Sequence, residues 1–264
     1  GGTIKLDGNY PVGTGNVALG DTALDSLTSG LRNTALGDKA GTGITSGNGN
    51  IAIGDNTMTA TLTGADNVAV GTYSLNLNTS GTLNTAVGGS SLEGNTTGSN
   101  NTALGRQALR QNTTASENTA VGYQAAYANT TGYDNTAVGM TALASNTTGL
   151  RNSAFGKSAL NANTTGLYNT AVGTYALQAN TTASNNTAVG YQAGYSNTTG
   201  DGLVFLGRSA GANSTGSANT GVGYYAMGNN TSGTDNVALG YLSLYNNTTA
   251  SNNTAVGYQA LYDN

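Results

Sequence analysis

The apolar and polar positions of this chain alternate in a pattern that repeats every seventeen residues. Each repeat has two short apolar patches separated by two glycine- or Asn/Thr-rich segments. The first patch is a tripeptide such as Thr-Ala-Val that ends at a glycine, and the second is Ala-Leu, which begins three residues after that glycine. Fifteen such glycines follow one another at intervals of 17 residues, with a single interval of 16 between Gly207 and Gly223. Internal repeats this regular predict a solenoid, in which every repeat forms one coil stacked on the next.

The local signals in one repeat predict β structure. Thr, Val and Ile replace one another on either side of the central Ala, as short strands tolerate, and no segment has helical periodicity. We expect both apolar patches to be strands, with corners at the glycine and at Asn-Thr-Thr-Gly. The predicted fold is all-β, a parallel β-solenoid (β-roll) of about fifteen 17-residue coils. Residues 1–15 are predicted as an irregular N-terminal partial coil and residues 16–264 as the repeat domain, with an irregular coil at 201–216.

Alternation along a strand decides which residues face inward. The central Ala suits a narrow lumen, so the residues flanking it are expected to point outward; the reverse arrangement, with Val inside and Ala outside, stays open at this stage. A continuous outward stripe of Val and Leu is an aggregation hazard unless it is covered. Copies of the same stripe around a cyclic axis would cover it, so we expect a homotrimer. The candidate trimer-core residues are Val70, Val87, Leu104, Val121, Val138, Val172, Val189, Leu239 and Val256.

Asparagine precedes the apolar tripeptide in fourteen of the fifteen repeats, and Leu203 is the exception. Identical Asn side chains one strand spacing apart can hydrogen-bond into a ladder. The irregular coil also contains Phe205 in the Ala column, which requires a wider roll or a side chain that points into a neighbour. The predicted corner and ladder residues are Asn67, Asn84, Asn101, Asn118, Asn135, Asn169 and Asn186.

Composition restricts the function. The chain has 8 Lys+Arg against 12 Asp+Glu, no His and no Cys, which argues against nucleic-acid binding, common zinc sites and His- or Cys-based catalysis. We therefore expect no enzyme activity, no cofactor and no resident metal. Asp21, Asp38 and Asp55 share one column, and they are interpreted either as a weak calcium site or, more simply, as solvated charge. No apolar run is long enough for a membrane helix.

Two further sets of residues are candidates for contact with a ligand or for modification. Tyrosines follow the glycine corner in the later repeats and would form either an aromatic ligand-binding face or plain stacked rings. Asn-x-Thr/Ser triplets are potential glycosylation acceptors if the chain passes through a glycosylating secretory route. The candidate ligand-facing residues are Tyr123, Tyr191, Tyr224, Tyr241 and Tyr258, and the candidate acceptors are Asn95, Asn112, Asn129, Asn146, Asn163, Asn180, Asn197 and Asn247.

The repeat resembles a known family. The segments Asn-Ile-Ala-Ile-Gly at 50–54 and Asn-Val-Ala-Val-Gly at 67–71 are similar to the head repeat of YadA-like trimeric autotransporter adhesins, and the resemblance covers residues 16–264. It also extends to the shaft repeats of phage-type tail fibres. The resemblance implies a left-handed parallel β-roll, three chains side by side and attachment at a cell surface. The repeat of this chain is longer than that of the adhesins, and the extra residues lie in the Asn-Thr-Thr-Gly corner.

These observations predict a non-enzymatic, extracellular structural or adhesive fibre, a trimeric shaft or head on a cell surface or virion. Its expected partners are other copies of the chain and a host-surface glycan or protein. Two alternatives remain: an ice-binding β-solenoid, since Thr columns can order water, and a self-stacking extracellular filament subunit, since uncapped strand edges invite end-to-end association.

Overall fold

A computed structural model of the chain describes Ile4–Lys5 and residues 13–263. The chain divides into two compact units, Gly1–Tyr133 and Asp134–Asn264. Most of the predicted partial coil at 1–15 therefore lies outside the described residues. The N-terminal unit contains β1 (Ile4–Lys5), β2 (Val17–Leu19), β3 (Thr34–Leu36), β4 (Ile51–Ile53), β5 (Val68–Val70), β6 (Thr85–Val87), β7 (Thr102–Leu104) and β8 (Thr119–Val121). The C-terminal unit contains β9 (Thr136–Val138), β10 (Ser153–Phe155), β11 (Thr170–Val172), β12 (Thr187–Val189), β13 (Val204–Leu206), β14 (Thr220–Val222), β15 (Val237–Leu239) and β16 (Thr254–Val256).

Each unit is a parallel β-solenoid, as the repeat period predicts. Within each unit, successive three-residue strands pair in parallel so that equivalent residues are direct neighbours. Ala69 of β5 pairs with Ala86 of β6 in the N-terminal unit, and Ala154 of β10 pairs with Ala171 of β11 in the C-terminal unit. The exception is β1, which pairs antiparallel with β2. The described residues form no helix that could span a membrane.

Each coil has one strand, and the prediction of two was wrong. The Ala-Leu patch forms a turn, because its Leu has a left-handed backbone: φ is 49° at Leu109 and 47° at Leu177. A non-glycine residue rarely adopts this conformation and pays a steric cost for it. The cost is offset because both side chains are fully buried, and burying a Leu contributes about 1.5–3 kcal/mol.

The lumen of each unit is lined by the central Ala of every strand. Ala86, Ala103, Ala154 and Ala171 have no exposed surface, whereas the residues on either side of them are half-buried or exposed. The Ala-inside arrangement is therefore confirmed, and the Val-inside alternative is wrong. The lumen is narrow at this column because the Ala side chains that fill it are small. Along the stack, these side chains repeat at the strand spacing, about 4.8 Å.

The irregular coil of the C-terminal unit holds a buried aromatic ring. Phe205 of β13 points into the lumen and is fully buried, so its side chain does not leave the Ala column. Three glycines make room for the ring. A Cβ atom would lie 2.3 Å from the Phe205 ring at Gly211, 3.1 Å from it at Gly221 and 3.2 Å from it at Gly194. Gly194 and Gly211 stand where other coils have Leu, and Gly221 stands where other coils have Ala. The extra volume of the Phe205 side chain is therefore matched by smaller residues at the positions around it.

Candidate interaction surfaces

The asparagines before the strands form a buried ladder. In the N-terminal unit, Asn67 Nδ2 donates a hydrogen bond to Asn50 Oδ1 at 3.0 Å, and Asn84 Nδ2 donates to Asn67 Oδ1 at 3.1 Å. Each Oδ1 also accepts a hydrogen bond from the backbone N–H of the next Asn; the Asn84 N–H donates to Asn67 Oδ1 at 3.0 Å. Each Nδ2 also donates to a carbonyl oxygen in the next coil; Asn84 Nδ2 donates to the Gly98 carbonyl at 2.8 Å. The amide therefore satisfies buried groups in two coils at once, which explains its recurrence. The same bonds join Asn101 and Asn118 in this unit, and Asn135, Asn152 and Asn169 in the C-terminal unit, where Asn186 N–H also bonds Asn169.

A second asparagine ladder inside the coils overturns the glycosylation hypothesis. Asn112 Nδ2 donates to Asn95 Oδ1 at 2.8 Å and to the Ala115 carbonyl at 2.9 Å. A glycan would be attached at this same nitrogen, which has no exposed surface and no free volume around it. The Asn-x-Thr motif is read from neighbouring residues alone, whereas burial depends on how the whole coil closes. The correction applies to Asn95, Asn112, Asn129, Asn146, Asn163, Asn180, Asn197 and Asn247, all of which have 0% relative exposure.

The first coils of the N-terminal unit have apolar side chains, instead of asparagines, at the same inner corner. Leu27, Ile44 and Leu62 are buried where later coils place the second ladder, which begins at Asn78. Apolar packing and an amide ladder are thus interchangeable at this corner. The second ladder was not predicted from the sequence because its amides were assigned to the Asn-Thr-Thr-Gly corner.

One outward column remains apolar in every repeat. The residue just before the closing glycine is Val, Leu, Ile or Phe at all fifteen positions, and we call this column the apolar stripe. Its members are direct neighbours in each unit: Val87 pairs with Leu104, and Phe155 pairs with Val172. Leu104 is 47% exposed and Phe155 is 41% exposed. The predicted trimer-core residues Val70, Val87, Leu104, Val121, Val138, Val172, Val189, Leu239 and Val256 all lie in this stripe and are half-buried or exposed.

Another outward column, the one just after the closing glycine, does not keep one chemistry. The column just after the glycine holds Asp, Thr, Gly, Arg, Tyr, Met and Lys at different coils. Its Asp21, Asp38 and Asp55 lie in the N-terminal unit, where Lys39 Nζ is 3.8 Å from Asp38. Among the described residues, no three His, Cys, Asp or Glu side chains come together as a metal site.

Tyrosines occupy this same column in the C-terminal unit and stack along it. The Tyr224 and Tyr241 ring centroids are 5.2 Å apart with an interplanar angle of 6°, and Tyr241 and Tyr258 have the same geometry. The guanidinium of Arg208 lies 5.5 Å from the Tyr224 ring centroid and 5.8 Å from that of Tyr191. The five candidate ligand-facing tyrosines, Tyr123, Tyr191, Tyr224, Tyr241 and Tyr258, are all exposed.

This geometry restricts what the tyrosine column can bind. Aromatic platforms hold sugars or cations through the faces of the rings. The faces of Tyr241 are covered by Tyr224 and Tyr258, so the column presents ring edges and hydroxyl groups to solvent.

Acid, arginine and tyrosine in successive coils form a charged column in each unit. In the N-terminal unit, Arg110 Nε donates to Glu93 at 2.8 Å and Arg110 Nη1 donates to the Tyr127 hydroxyl at 3.0 Å. Burial by itself would raise the pKa of the Glu93 carboxyl, but hydrogen bonds from Arg110 and Ser90 and the charge of Arg110 outweigh it and lower the pKa. Asp134, Arg151 and Tyr168 repeat the arrangement in the C-terminal unit.

A search among known proteins gave no match: no family model, no curated protein and no solved structure is similar enough to the chain to count as one.

Proposed function

We propose that the chain is a non-enzymatic structural or adhesive fibre protein that assembles with copies of itself, as a homotrimer, and acts outside the cell or on a virion. The single observation that carries the proposal is the apolar stripe. This position faces outward and is nevertheless apolar in fifteen of fifteen repeats, whereas the column just after the glycine holds seven residue types.

A second copy of the chain is the best partner for this stripe. The stripe repeats at the strand spacing, about 4.8 Å, and a surface with the same repeat can interleave with it coil after coil. Another copy of the chain has the same repeat because it has the same sequence. A cyclic arrangement of copies buries every stripe and leaves none uncovered. The covered stripe would then form the apolar centre of the assembly, with the variable columns on its outside.

The fibre role follows from what remains outside. The outward columns are rich in Thr, Ser, Asn and Tyr, and in the N-terminal unit also in Asp, which suits contact with solvent and with a glycan or protein on another surface. The resemblance to adhesin heads and tail-fibre shafts agrees with such a role. Antibody labelling of intact cells or virions that carry the protein tests its extracellular location, since labelling only after permeabilisation would contradict it.

The assembly is tested by changing the stripe without changing the lumen. The double variant V172K/V189K places two charges in the stripe, and we expect it to lose assembly while keeping the circular dichroism of the solenoid. The matched control T165K/T182K adds the same charge in the same unit at exposed positions away from the stripe, and it should assemble normally. Sedimentation equilibrium gives the mass; a wild-type chain that stays at 26.1 kDa at all concentrations would contradict the proposal.

A second candidate function, ice binding, is favoured by one specific column. A Thr that follows the half-buried Thr of the corner is exposed in coil after coil. The half-buried Thr is tied to the stack, since Thr96 Oγ1 donates to the Thr113 carbonyl at 3.0 Å, whereas the exposed Thr that follows it faces water. Thermal hysteresis that T165K/T182K abolishes would favour this function over the fibre. The exposed column consists of Thr97, Thr114 and Thr131 in the N-terminal unit and Thr148, Thr165, Thr182 and Thr199 in the C-terminal unit.

A further inference from the structure

The stacked tyrosines of the C-terminal unit have a geometry that suggests a covalent modification. Tyr224, Tyr241 and Tyr258 are parallel at 5.2 Å, and Tyr245 and Tyr262 in a second column are stacked at 5.3 Å with an interplanar angle of 19°. Neighbouring rings are thus related almost by a translation of one coil. Such a relation gives the ring carbons beside the hydroxyls equivalent positions on neighbouring rings.

The tyrosine side chains are partly exposed to solvent although neighbouring rings stack on their faces. Tyr224 is 36% exposed, Tyr241 is 43% exposed and Tyr258 is 72% exposed. An oxidant can reach the hydroxyl groups, and side-chain rotation on a fast timescale can bring the ring carbons of neighbouring coils together. The chain has no cysteine, so disulfides cannot join its coils covalently.

We propose that the stacked pairs 224–241, 241–258 and 245–262 are sites of oxidative tyrosine cross-linking, which would join consecutive coils through dityrosine. Each phenol gives up one electron and its hydroxyl proton to become a phenoxyl radical. The two radicals form a carbon–carbon bond between the positions beside their oxygens, and the hydrogens at those positions move to the oxygens as the rings become aromatic again. The oxidant is hydrogen peroxide acting through a heme peroxidase, which takes the two electrons and two protons and releases two molecules of water.

The stack separates these tyrosines from others of equal exposure. Tyr73 in the N-terminal unit is also 43% exposed, and no ring contact involves it among the described residues. The pair Tyr175 and Tyr191 meets edge to face at 6.2 Å and 73°, a geometry that does not align the reactive carbons. The proposal concerns pairs within one chain, so it stands or falls independently of the proposed trimer.

The test treats the full chain with hydrogen peroxide and a heme peroxidase, then maps cross-linked peptides by mass spectrometry. Each cross-link joins two peptides and removes two hydrogen atoms. We expect Y241F to lose the 224–241 and 241–258 products and keep 245–262, while Y245F loses only 245–262. Y73F should lose none of them. Phe keeps the ring and its stacking, so circular dichroism should show that all three variants remain folded.

Two results would overturn the proposal. One is a wild-type chain in which dityrosine joins only separate chains, visible as covalent dimers on a denaturing gel. The other is a product pattern that Y241F leaves unchanged, since that would mean that stacking does not select the reacting pair.

Discussion

The inner and outer columns of the same coils follow different rules. Inside, Ala86, Ala103 and Ala154 occupy one column and the ladder asparagines another, with few exceptions along the chain. Outside, the column after the glycine changes from Asp21 to Tyr258 with five other residue types between them. An inner side chain contacts its own equivalents above and below, so a change at one coil affects two neighbours, whereas most outer side chains contact water.

The apolar stripe combines a property of the outer columns with a property of the inner ones. Its side chains are half-buried or exposed, like those of the outer columns, but they are apolar in every repeat, and in this constancy the stripe resembles the inner columns. An apolar surface that is constant without being covered in a single chain is the basis of the proposal that another copy of the chain covers it. If self-contact constrains the inner columns, a change at an inner position should cost more stability than a change at an outer one.

The largest effect is expected in the irregular coil, where an aromatic ring replaces the inner Ala. F205A removes a fully buried ring and should destabilise the C-terminal unit by about 3–5 kcal/mol, because it leaves a cavity. G211L should also destabilise, by about 1–3 kcal/mol or more, because its side chain meets the ring. Combined, the two restore the Ala and the Leu of other coils at these two positions, while Gly194 and Gly221 remain. Leu can adopt the left-handed backbone there: φ is 56° at Gly211 and 47° at Leu177.

The double variant F205A/G211L should therefore be more stable than the sum of the single changes predicts. Denaturant unfolding of the four proteins gives the coupling free energy. Additive losses would show that the ring and the glycine are not a compensated pair.

An intermediate effect is expected in the asparagine ladder. N152A removes the acceptor of the buried Asn169 N–H, whose distance to Asn152 Oδ1 is 3.0 Å, and should cost about 1–3 kcal/mol. The control T170A changes a half-buried outward residue of the next coil and should stay within about 0.5 kcal/mol of wild type. Thermal unfolding of the two variants checks the difference, and equal losses would remove the distinction between inner and outer columns.

The smallest effect is expected in the outer charged column. Because the folded-state pKa of Glu93 is lowered, its stabilisation is present above the pKa of the unfolded chain and is lost as pH falls through the folded value. The pair with Arg110 is partly exposed, so E93Q should cost only about 0.2–1 kcal/mol at neutral pH. The free energy of unfolding of E93Q and wild type should converge in acid. The exposed-residue control D21N should differ little from wild type, and a difference for E93Q that grows in acid would contradict the assignment.

Some parts of the fold depend only on contacts between equivalent residues of successive coils, and these parts could be predicted from the sequence. The repeat period gives the coil, strand alternation puts Ala103 inside, and the Asn84 column predicts an amide ladder, because each needs only the residue and its equivalents. The turn at Leu109 could not be predicted, because a left-handed non-glycine residue is stable there only through burial that the closed coil creates. The role of Asn112 was missed for the same reason: its local motif is that of an exposed acceptor, and only coil closure shows that it is inside. The stripe was predicted as outward, while what covers it stays a proposal.

Hydroxyl-radical footprinting of the native protein shows whether copies of the chain cover the apolar stripe. Phe155 of the stripe is 41% exposed in a single chain, and Met140 and Tyr168, which lie outside the stripe in the same unit, are 44% and 47% exposed. If copies of the chain cover the stripe, Phe155 should be protected while Met140 and Tyr168 are oxidised, and V172K/V189K should restore labelling of Phe155. Rapid oxidation of Phe155 in the wild-type protein at high concentration would show that the stripe faces water and would contradict the account.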